Sequence, residues 1–236
     1  MSKLQPIWQN IPFHFKKSVV ENLDYVSRCH LRSCSKEEKN IVDSCSSVID
    51  YLCLSLTEPA FGNGEDAEKP AQISIKDKKT EFSKNFKKDD VIERFLSIFL
   101  NALVSVNTME IHVWGIHRKS QHFKFFKAFL IEIKKKNLKF KVRKLELATV
   151  FPDKNQLISL IKCLDIDHIV SINLIRTTGF QFEELSKTEQ FKKLKELSVE
   201  TRHEISPELL SHLDSFKVTV KRMIGEVVSE IIKVND

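Results

Sequence analysis

The first fifty residues carry apolar side chains at helical spacing. Pro12 suits the first turn of a helix, where its missing N–H removes no hydrogen bond. Phe15, Val19, Val20 and Leu23 then recur every three to four residues and form one apolar face. This pattern predicts a helix that begins near Pro12.

Two further short helices are expected before residue 47. One covers residues 27–33 and presents Cys29 and Leu31. The other begins at Ser35, which forms a capping box with Glu38 because a serine hydroxyl can accept a hydrogen bond from the backbone N–H three residues later. Its apolar side carries Ile41, Val42 and Cys45. Three short helices bury little surface by themselves, so we expect a module whose apolar face is covered by a partner.

The pattern changes between residues 48 and 90. Residues 51–56 alternate as a strand does, but the segment that follows holds two of the five glycines, Pro70 and a charged stretch over 76–81. We predict a first strand followed by a flexible linker, interrupted at most by a short strand at 72–75. The three predicted units are therefore 1–47, 48–90 and 91–236.

From residue 91 onward, helical and strand patterns alternate. A helix over 91–103 is apolar almost all round, a strand is predicted over 109–114, and Ser120 is expected to cap the next helix. Lysines 134–136 complement the dipole at the C-terminus of that helix, and Asn137 can end it.

The alternation then becomes a repeat. Leu145, Ile172, Leu197 and Val218 occupy matching strand positions at spacings of 27, 25 and 21 residues. Helices are predicted between these strands, at residues 156–164, at 186–193 and from Ser206. Such spacings are typical of a leucine-rich-repeat-like β/α solenoid with parallel strands. A final amphipathic helix is predicted over residues 223–232. The expected fold class is α+β.

Composition narrows the function. The net charge is +6, yet residues 1–50 contribute only +1, so the excess is spread along the chain. The basic run 134–144 is explained by a helix end and a solvated edge strand, and we do not expect nucleic-acid binding. No apolar run is long enough to span a bilayer, and no secretory signal is evident, so we expect no membrane association and a cytoplasmic or nuclear protein, or both.

The sequence motifs give no reason to expect an enzyme or a cofactor. The five cysteines lack a Cys-x-x-Cys pair, and His112, His117 and His122 lie five residues apart, so neither set predicts a metal site. The chain has no Gly-x-Ser-x-Gly elbow and no glycine-rich phosphate loop.

Several segments resemble a known family. Ile11-Pro12, the apolar helix with Leu23, and residues 28–35 (Arg-Cys-His-Leu-Arg-Ser-Cys-Ser) are similar to an F-box, and Trp8 upstream is typical of the nematode type. Residues 189–194 (Glu-Gln-Phe-Lys-Lys-Leu) and 212–216 (His-Leu-Asp-Ser-Phe) resemble the FTH domain, a leucine-rich-repeat-like module that accompanies this F-box variant.

The resemblance implies a substrate-recognition subunit of a Skp–cullin–F-box ubiquitin ligase. The F-box would bind a Skp-type adaptor, and through it the cullin ligase, while the C-terminal domain would bind a protein target of unknown identity. No catalytic residue is needed, because such a subunit acts by raising the effective concentration of the target at the ligase. The expected adaptor-binding residues are Ile11, Pro12, Phe15, Val19, Leu23, Leu31 and Val42. Arg28 and Arg32 are expected to be solvated or to lie at the rim of this contact.

The target-binding surface is predicted from architecture alone. Ligands of β/α solenoids often meet the strand face or the loops that follow the strands. This favours Arg143, Asn173, Arg176 and Glu200. An alternative stays open, in which the chain is an F-box-derived interaction scaffold or RNA-associated regulator without ligase activity.

Overall fold

The structure is a computed structural model of the 236-residue chain. It describes residues 7–57, 71–78, 80–114, 119–149, 154–175, 182–201, 205–221 and 227–230. It combines an N-terminal group of three helices with one large mixed sheet, in agreement with the predicted α+β class.

Three short helices follow a 3-10 turn at Ile7–Asn10. They are α1 (Phe13–Glu21), α2 (Tyr25–Arg32) and α3 (Lys36–Asp43). Asp24 caps α2 by accepting a hydrogen bond from the backbone N–H of Ser27, and Ser35 caps α3 by accepting from those of Glu37 and Glu38. The serine cap predicted from the sequence is therefore confirmed.

A single sheet contains all nine strands of the described residues, in the order β3-β2-β1-β4-β5-β6-β7-β8-β9. Their bounds are β1 Ser47–Thr57, β2 Ala71–Lys76, β3 Glu81–Phe86, β4 Val104–Trp114, β5 Val142–Thr149, β6 Ser171–Ile175, β7 Glu196–Thr201, β8 Ser215–Lys221 and β9 Val227–Glu230. Strands β1, β4, β5, β6, β7 and β8 run parallel to their neighbours in this order. The hairpin β2–β3 and the last strand β9 add antiparallel pairs at the two sides.

The helices that connect these strands cover one face of the sheet. They are α4 (Lys88–Ser97, followed by a 3-10 turn), α5 (Lys119–Lys135), α6 (Lys154–Ile161), α7 (Phe182–Ser186) and α8 (Glu189–Lys193). Their apolar side chains pack against strand residues in one continuous core, which includes Phe95, Phe129 and Phe191. Asn137 ends α5 with a φ of 48°. Its N–H donates to Lys134 and that of Leu138 to Ile133, a Schellman motif.

Buried residues recur at the same spacing in the parallel strands. In several of these strands a buried residue near the start is followed by others three and five residues later, as in Val142, Leu145 and Leu147 or Leu194, Leu197 and Val199. The central members lie in one row across the sheet, which consists of Leu52, Met109, Leu145, Ile172, Leu197 and Phe216. The matching position in β8 is thus Phe216, whereas Val218 pairs with Val199 one step along the same face.

Several predicted elements differ from the observed ones. The final helix is wrong for residues 227–230, which form β9 beside β8; the rest of that predicted helix lies outside the described residues. β-branched Val227 and Val228 favour a strand where an edge offers pairing. The predicted helix over 91–103 ends earlier, because Asn101–Leu103 form the turn into β4.

The predicted linker is structured in its second half. Residues 71–86 form the β2–β3 hairpin, and β3 is missed by its sequence pattern because only Phe82 and Phe86 are half-buried along an otherwise exposed strand. Residues 58–70, also assigned to the linker, lie outside the described part of the chain. Two smaller differences concern helices. The one predicted over 186–193 is observed only as α8, because α7 already ends at Ser186, and Ser206 precedes only a 3-10 turn at Pro207–Leu210 without capping it.

Candidate protein-interaction surfaces

A stripe of apolar side chains lies along α1. Phe15 and Val19 are one helical turn apart and are 57% and 45% exposed. Pro12 is exposed beside them, and Ile11 and Leu23 are half-buried at the two ends. These five residues, Ile11, Pro12, Phe15, Val19 and Leu23, are called the α1 stripe below. Exposed phenylalanine and valine in one stripe are typical of a surface that binds another protein.

The other two predicted adaptor-binding residues lie elsewhere. Val42 is only 6% exposed and belongs to a small interior cluster with Val20, Ile41 and Cys45. Leu31 is half-buried and packs against this cluster. The helical trio therefore has its own closed interior, separate from the core of the sheet, and the α1 stripe lies outside it.

A polar network holds the segment that precedes α1. The indole N–H of Trp8 donates to a Glu38 carboxylate oxygen at 3.0 Å. The ammonium group of Lys16, which is almost fully buried, lies 5.7 Å from the centre of the Trp8 ring and 2.6 Å from a Glu37 oxygen. These contacts join α1 and α3 to the chain before Pro12, so they fix the position of the N-terminal end of the α1 stripe. The sequence pattern does not predict these contacts, because the paired residues are 21 and 30 positions apart in the chain.

Arg28 is buried, in contrast to the expectation of a solvated or rim residue. Its guanidinium donates to three backbone carbonyls, those of Glu21, Leu23 and Ser46. The first is the last residue of α1, the second lies two residues beyond it, and the third precedes β1. Arg32, by contrast, is exposed and forms a two-pronged ion pair with Asp43 that raises the pKa of Arg32. Arg28 thus ties the end of α1 to the exit of the trio.

Backbone and side-chain hydrogen bonds join the trio to the sheet. The N–H of Tyr25 donates to a carboxylate oxygen of Asp77, in the turn after β2, at 2.7 Å. The N–H of Ser47 donates to the carbonyl of Leu103 at 3.1 Å. Asn101 reaches the carbonyl of Asp43 at 3.4 Å. The trio is therefore attached at several points, on both sides of the start of β1.

Along each strand, the residues that alternate with the core residues form the other face of the sheet, and this face is polar. Its central row crosses eight strands and consists of Ser83, Ser74, Cys53, Glu110, Glu146, Asn173, Ser198 and Lys217. We call this side the polar face. Glu146 pairs with Lys144 at 2.6 Å and raises the pKa of that lysine. Paired charges of both signs give this surface a mixed pattern suited to polar recognition.

Two of the predicted target-binding residues belong to this face. Asn173 lies in its central row, and Glu200 lies two residues after Ser198 on β7. Arg143 is exposed at the start of β5, where the side-chain alternation shifts by one. Arg176 lies outside the described residues. The structure thus brings Asn173 and Glu200 to one surface.

The basic run after α5 is engaged in the fold. Lys139 donates to the carbonyl of Lys162 at 2.8 Å, and Lys141 to that of Ala102 at 2.7 Å. The interleaved Leu138 and Phe140 are buried in the core. Neither apolar side chain can stack on bases from this position. Separately, none of the described helices combines the length and apolarity that a membrane crossing would need.

Comparison with protein families follows this division of the chain. The model of the F-box domain matches residues 8–57, which are the trio and β1. The chain is therefore an F-box protein. The model of the FTH domain matches residues 120–236, from α5 onward. It is thus an F-box protein with a C-terminal FTH domain, as the sequence motifs predicted.

F-box domains are protein-interaction domains of ubiquitin-ligase adaptors, and proteins of this class are typically adaptors without catalysis of their own. No curated protein and no solved structure matches the chain significantly.

Proposed function

We propose that this chain is the substrate-recognition subunit of a Skp–cullin–F-box ubiquitin ligase. In this proposal the α1 stripe binds a Skp-type adaptor, and the FTH part of the sheet binds a protein target in the cytoplasm, the nucleus or both. The observation that carries it is an exposed apolar stripe on a helical trio whose own interior is already closed.

The interior of the trio is complete without the exposed side chains of α1. Because Val20, Ile41, Val42 and Cys45 already pack together, Phe15 and Val19 are not needed to complete the trio's core. Leaving both exposed costs solubility without stabilising the isolated chain. A partner that covers them would gain apolar burial at the centre of an interface, where aromatic anchors contribute most.

The attachment of the trio to the sheet supports the second half of the proposal. A recognition subunit acts by holding its target at a defined distance from the ligase. A flexible connection would lower the effective concentration of the target at the ligase. Arg28 and the hydrogen bonds of Tyr25 and Ser47 restrain the junction. The sheet would then extend from the adaptor as one body, with the polar face and its Asn173 and Glu200 available to a target.

The sheet part also has features of the solenoid predicted from the sequence. Buried positions at i, i+3 and i+5 recur in its parallel strands, and L-x-x-L-x-L is the spacing of leucine-rich repeats. We include a leucine-rich-repeat-like solenoid, closed by antiparallel strands at its ends, in the proposal. The polar face would be its ligand-binding strand face.

The test is binding of the purified full chain to a Skp-type adaptor, measured by calorimetry. Phe15→Ala should weaken binding by about 30-fold or more, since a truncated aromatic anchor costs about 2 kcal/mol. Ile131→Ala is the matched control, because Ile131 is 52% exposed on α5, which lies outside the residues of the trio. Adaptor binding that is absent in the wild type, or equally affected by both substitutions, contradicts the proposal.

The alternative function predicts a different result in the binding experiments. A scaffold or RNA-associated regulator without ligase activity would bind no adaptor. An RNA-associated protein would also bind RNA with an affinity that falls steeply with salt.

A further inference from the structure

Three potential metal ligands meet on the polar face, at the pairing of β1 with β4. Cys53 lies beside Glu110 in the strand register, and His112 follows Glu110 two residues later on the same side of β4. The Cys53 sulfur, a Glu110 carboxylate oxygen and a His112 ring nitrogen all lie within 4.8 Å of one another. The spacing of cysteines in the sequence does not predict this cluster of three residues, because they come from two strands that are separated in the chain by a hairpin and a helix.

The distance between the nitrogen and oxygen ligand atoms is close to that of a coordination sphere. His112 Nε2 and Glu110 Oε2 are 3.1 Å apart. Two such atoms bound to one tetrahedral zinc ion, each at about 2.0–2.1 Å, would be separated by about 3.3 Å. The Cys53 sulfur lies within 4.8 Å of both atoms, and a rotation of the Cys53 side chain can adjust that separation.

The surroundings resemble those of built metal sites. Cys53 is 7% exposed, and both Glu110 and His112 are half-buried. The Tyr51 hydroxyl donates to the Glu110 oxygen that contacts His112, at 2.7 Å. Carboxylate ligands are commonly oriented by such a second hydrogen bond. Strand pairing supplies rigidity, since backbone ladders fix all four residues.

We propose that Cys53, Glu110 and His112 bind one Zn²⁺ ion, with Tyr51 as a positioning residue. Thiolate, imidazole and carboxylate together favour zinc over the hard cations, which select oxygen ligands alone. On binding, the ion replaces the proton of the Cys53 thiol, and that proton is released to solvent. His112 coordinates through Nε2 and keeps its remaining proton on Nδ1. A water molecule would occupy the fourth position.

Cobalt substitution tests this inference directly on the full chain. The metal-free protein is titrated with Co²⁺, which colours tetrahedral sites and gives a near-ultraviolet charge-transfer band only when a thiolate is bound. We expect one equivalent to bind, with this band present, and Zn²⁺ to displace it. Absence of the band, or binding without a defined stoichiometry, overturns the proposal.

Variants assign the ligands. Cys53→Ser should abolish the charge-transfer band, whereas the double variant Cys29→Ser, Cys34→Ser, which removes the exposed cysteines of α2 and of the turn that follows it, should retain it. Tyr51→Phe should keep the band but weaken Zn²⁺ binding by about 10- to 100-fold, as loss of an orienting partner does. The reverse pattern, with the band lost only in the Cys29→Ser, Cys34→Ser variant, overturns the assignment.

Folding is checked by circular dichroism. Should Cys53→Ser fail to fold, His112→Gln decides instead: the thiolate band must survive at weaker affinity if the site is correct, and unchanged affinity contradicts it. The titration needs no adaptor, so its outcome is independent of the proposed ligase function.

Discussion

Arg28 is a buried charged residue of the trio, and the effect of its removal can be predicted in magnitude. Its guanidinium makes three hydrogen bonds to carbonyls and is buried at 8% exposure. A hydrogen bond with a charged donor contributes about 1.5 kcal/mol or more, so three give about 4.5 kcal/mol. Desolvation of the buried charge offsets part of this sum. We expect Arg28→Met to lower the free energy of unfolding of the trio by about 3 kcal/mol.

The matched control lies one turn away on the same helix. Arg32 is exposed in its ion pair with Asp43, so Arg32→Met should cost less than about 1 kcal/mol. Arg28→Lys should recover little, because a single ammonium group cannot span three carbonyls that the planar guanidinium reaches together.

Native-state hydrogen exchange is the appropriate assay, because the trio has its own interior and can open separately from the sheet. A loss of about 3 kcal/mol would reduce protection of the α1–α3 amides on the order of 100-fold, with the sheet amides unchanged. If Arg28→Met and Arg32→Met reduce protection equally, the three carbonyl contacts do not stabilise the trio as argued.

Two further perturbations test local features. Asn137→Val should destabilise the fold by about 1–2 kcal/mol in urea unfolding, since φ is 48° there, whereas Asn137→Gly should change it by less than about 1 kcal/mol; equal effects would contradict the left-handed cap. The backbone N–H of Ser27, and then its hydroxyl, lower the pKa of Asp24 below 3.8, although partial burial opposes this. The ionised carboxylate therefore stabilises the fold above that pH, and the contribution is lost as the pH falls through the folded-state pKa. The stability advantage over Asp24→Asn should accordingly shrink on acidification, and a constant difference would refute the assignment.

Short-range signals predicted the local elements well. Pro12, Ser35 and Asn137 mark helix ends through backbone chemistry that involves only their neighbours, and each marks one in the structure. The alternation after residue 91 likewise reflects a core on one face of a parallel sheet. The repeat positions Leu145, Ile172 and Leu197 fall in one row for the same reason.

Features that depend on distant partners were not predictable in this way. Val42 and Val19 look alike in a helical pattern, but only the packing of α1 on α3 shows that Val42 is inside and Val19 outside. Arg28 is indistinguishable from Arg32 until the carbonyls of Glu21 and Ser46 are brought together. The valine-rich C-terminal segment fits a helical period, yet the free edge of β8 selects a strand at residues 227–230.

The polar outer strand of the hairpin limits how the sheet can meet other proteins. β3 has Glu81, Ser83, Lys84 and Asn85 exposed along its length and pairs on one side with β2. Charged, short edge strands resist the addition of a further strand, whether from a second copy or from an extended peptide. A target peptide would gain little by extending the sheet at this border. Recognition at this end would have to come from side chains, and selectivity would then evolve by substitution on the polar face without disturbing the backbone pairing.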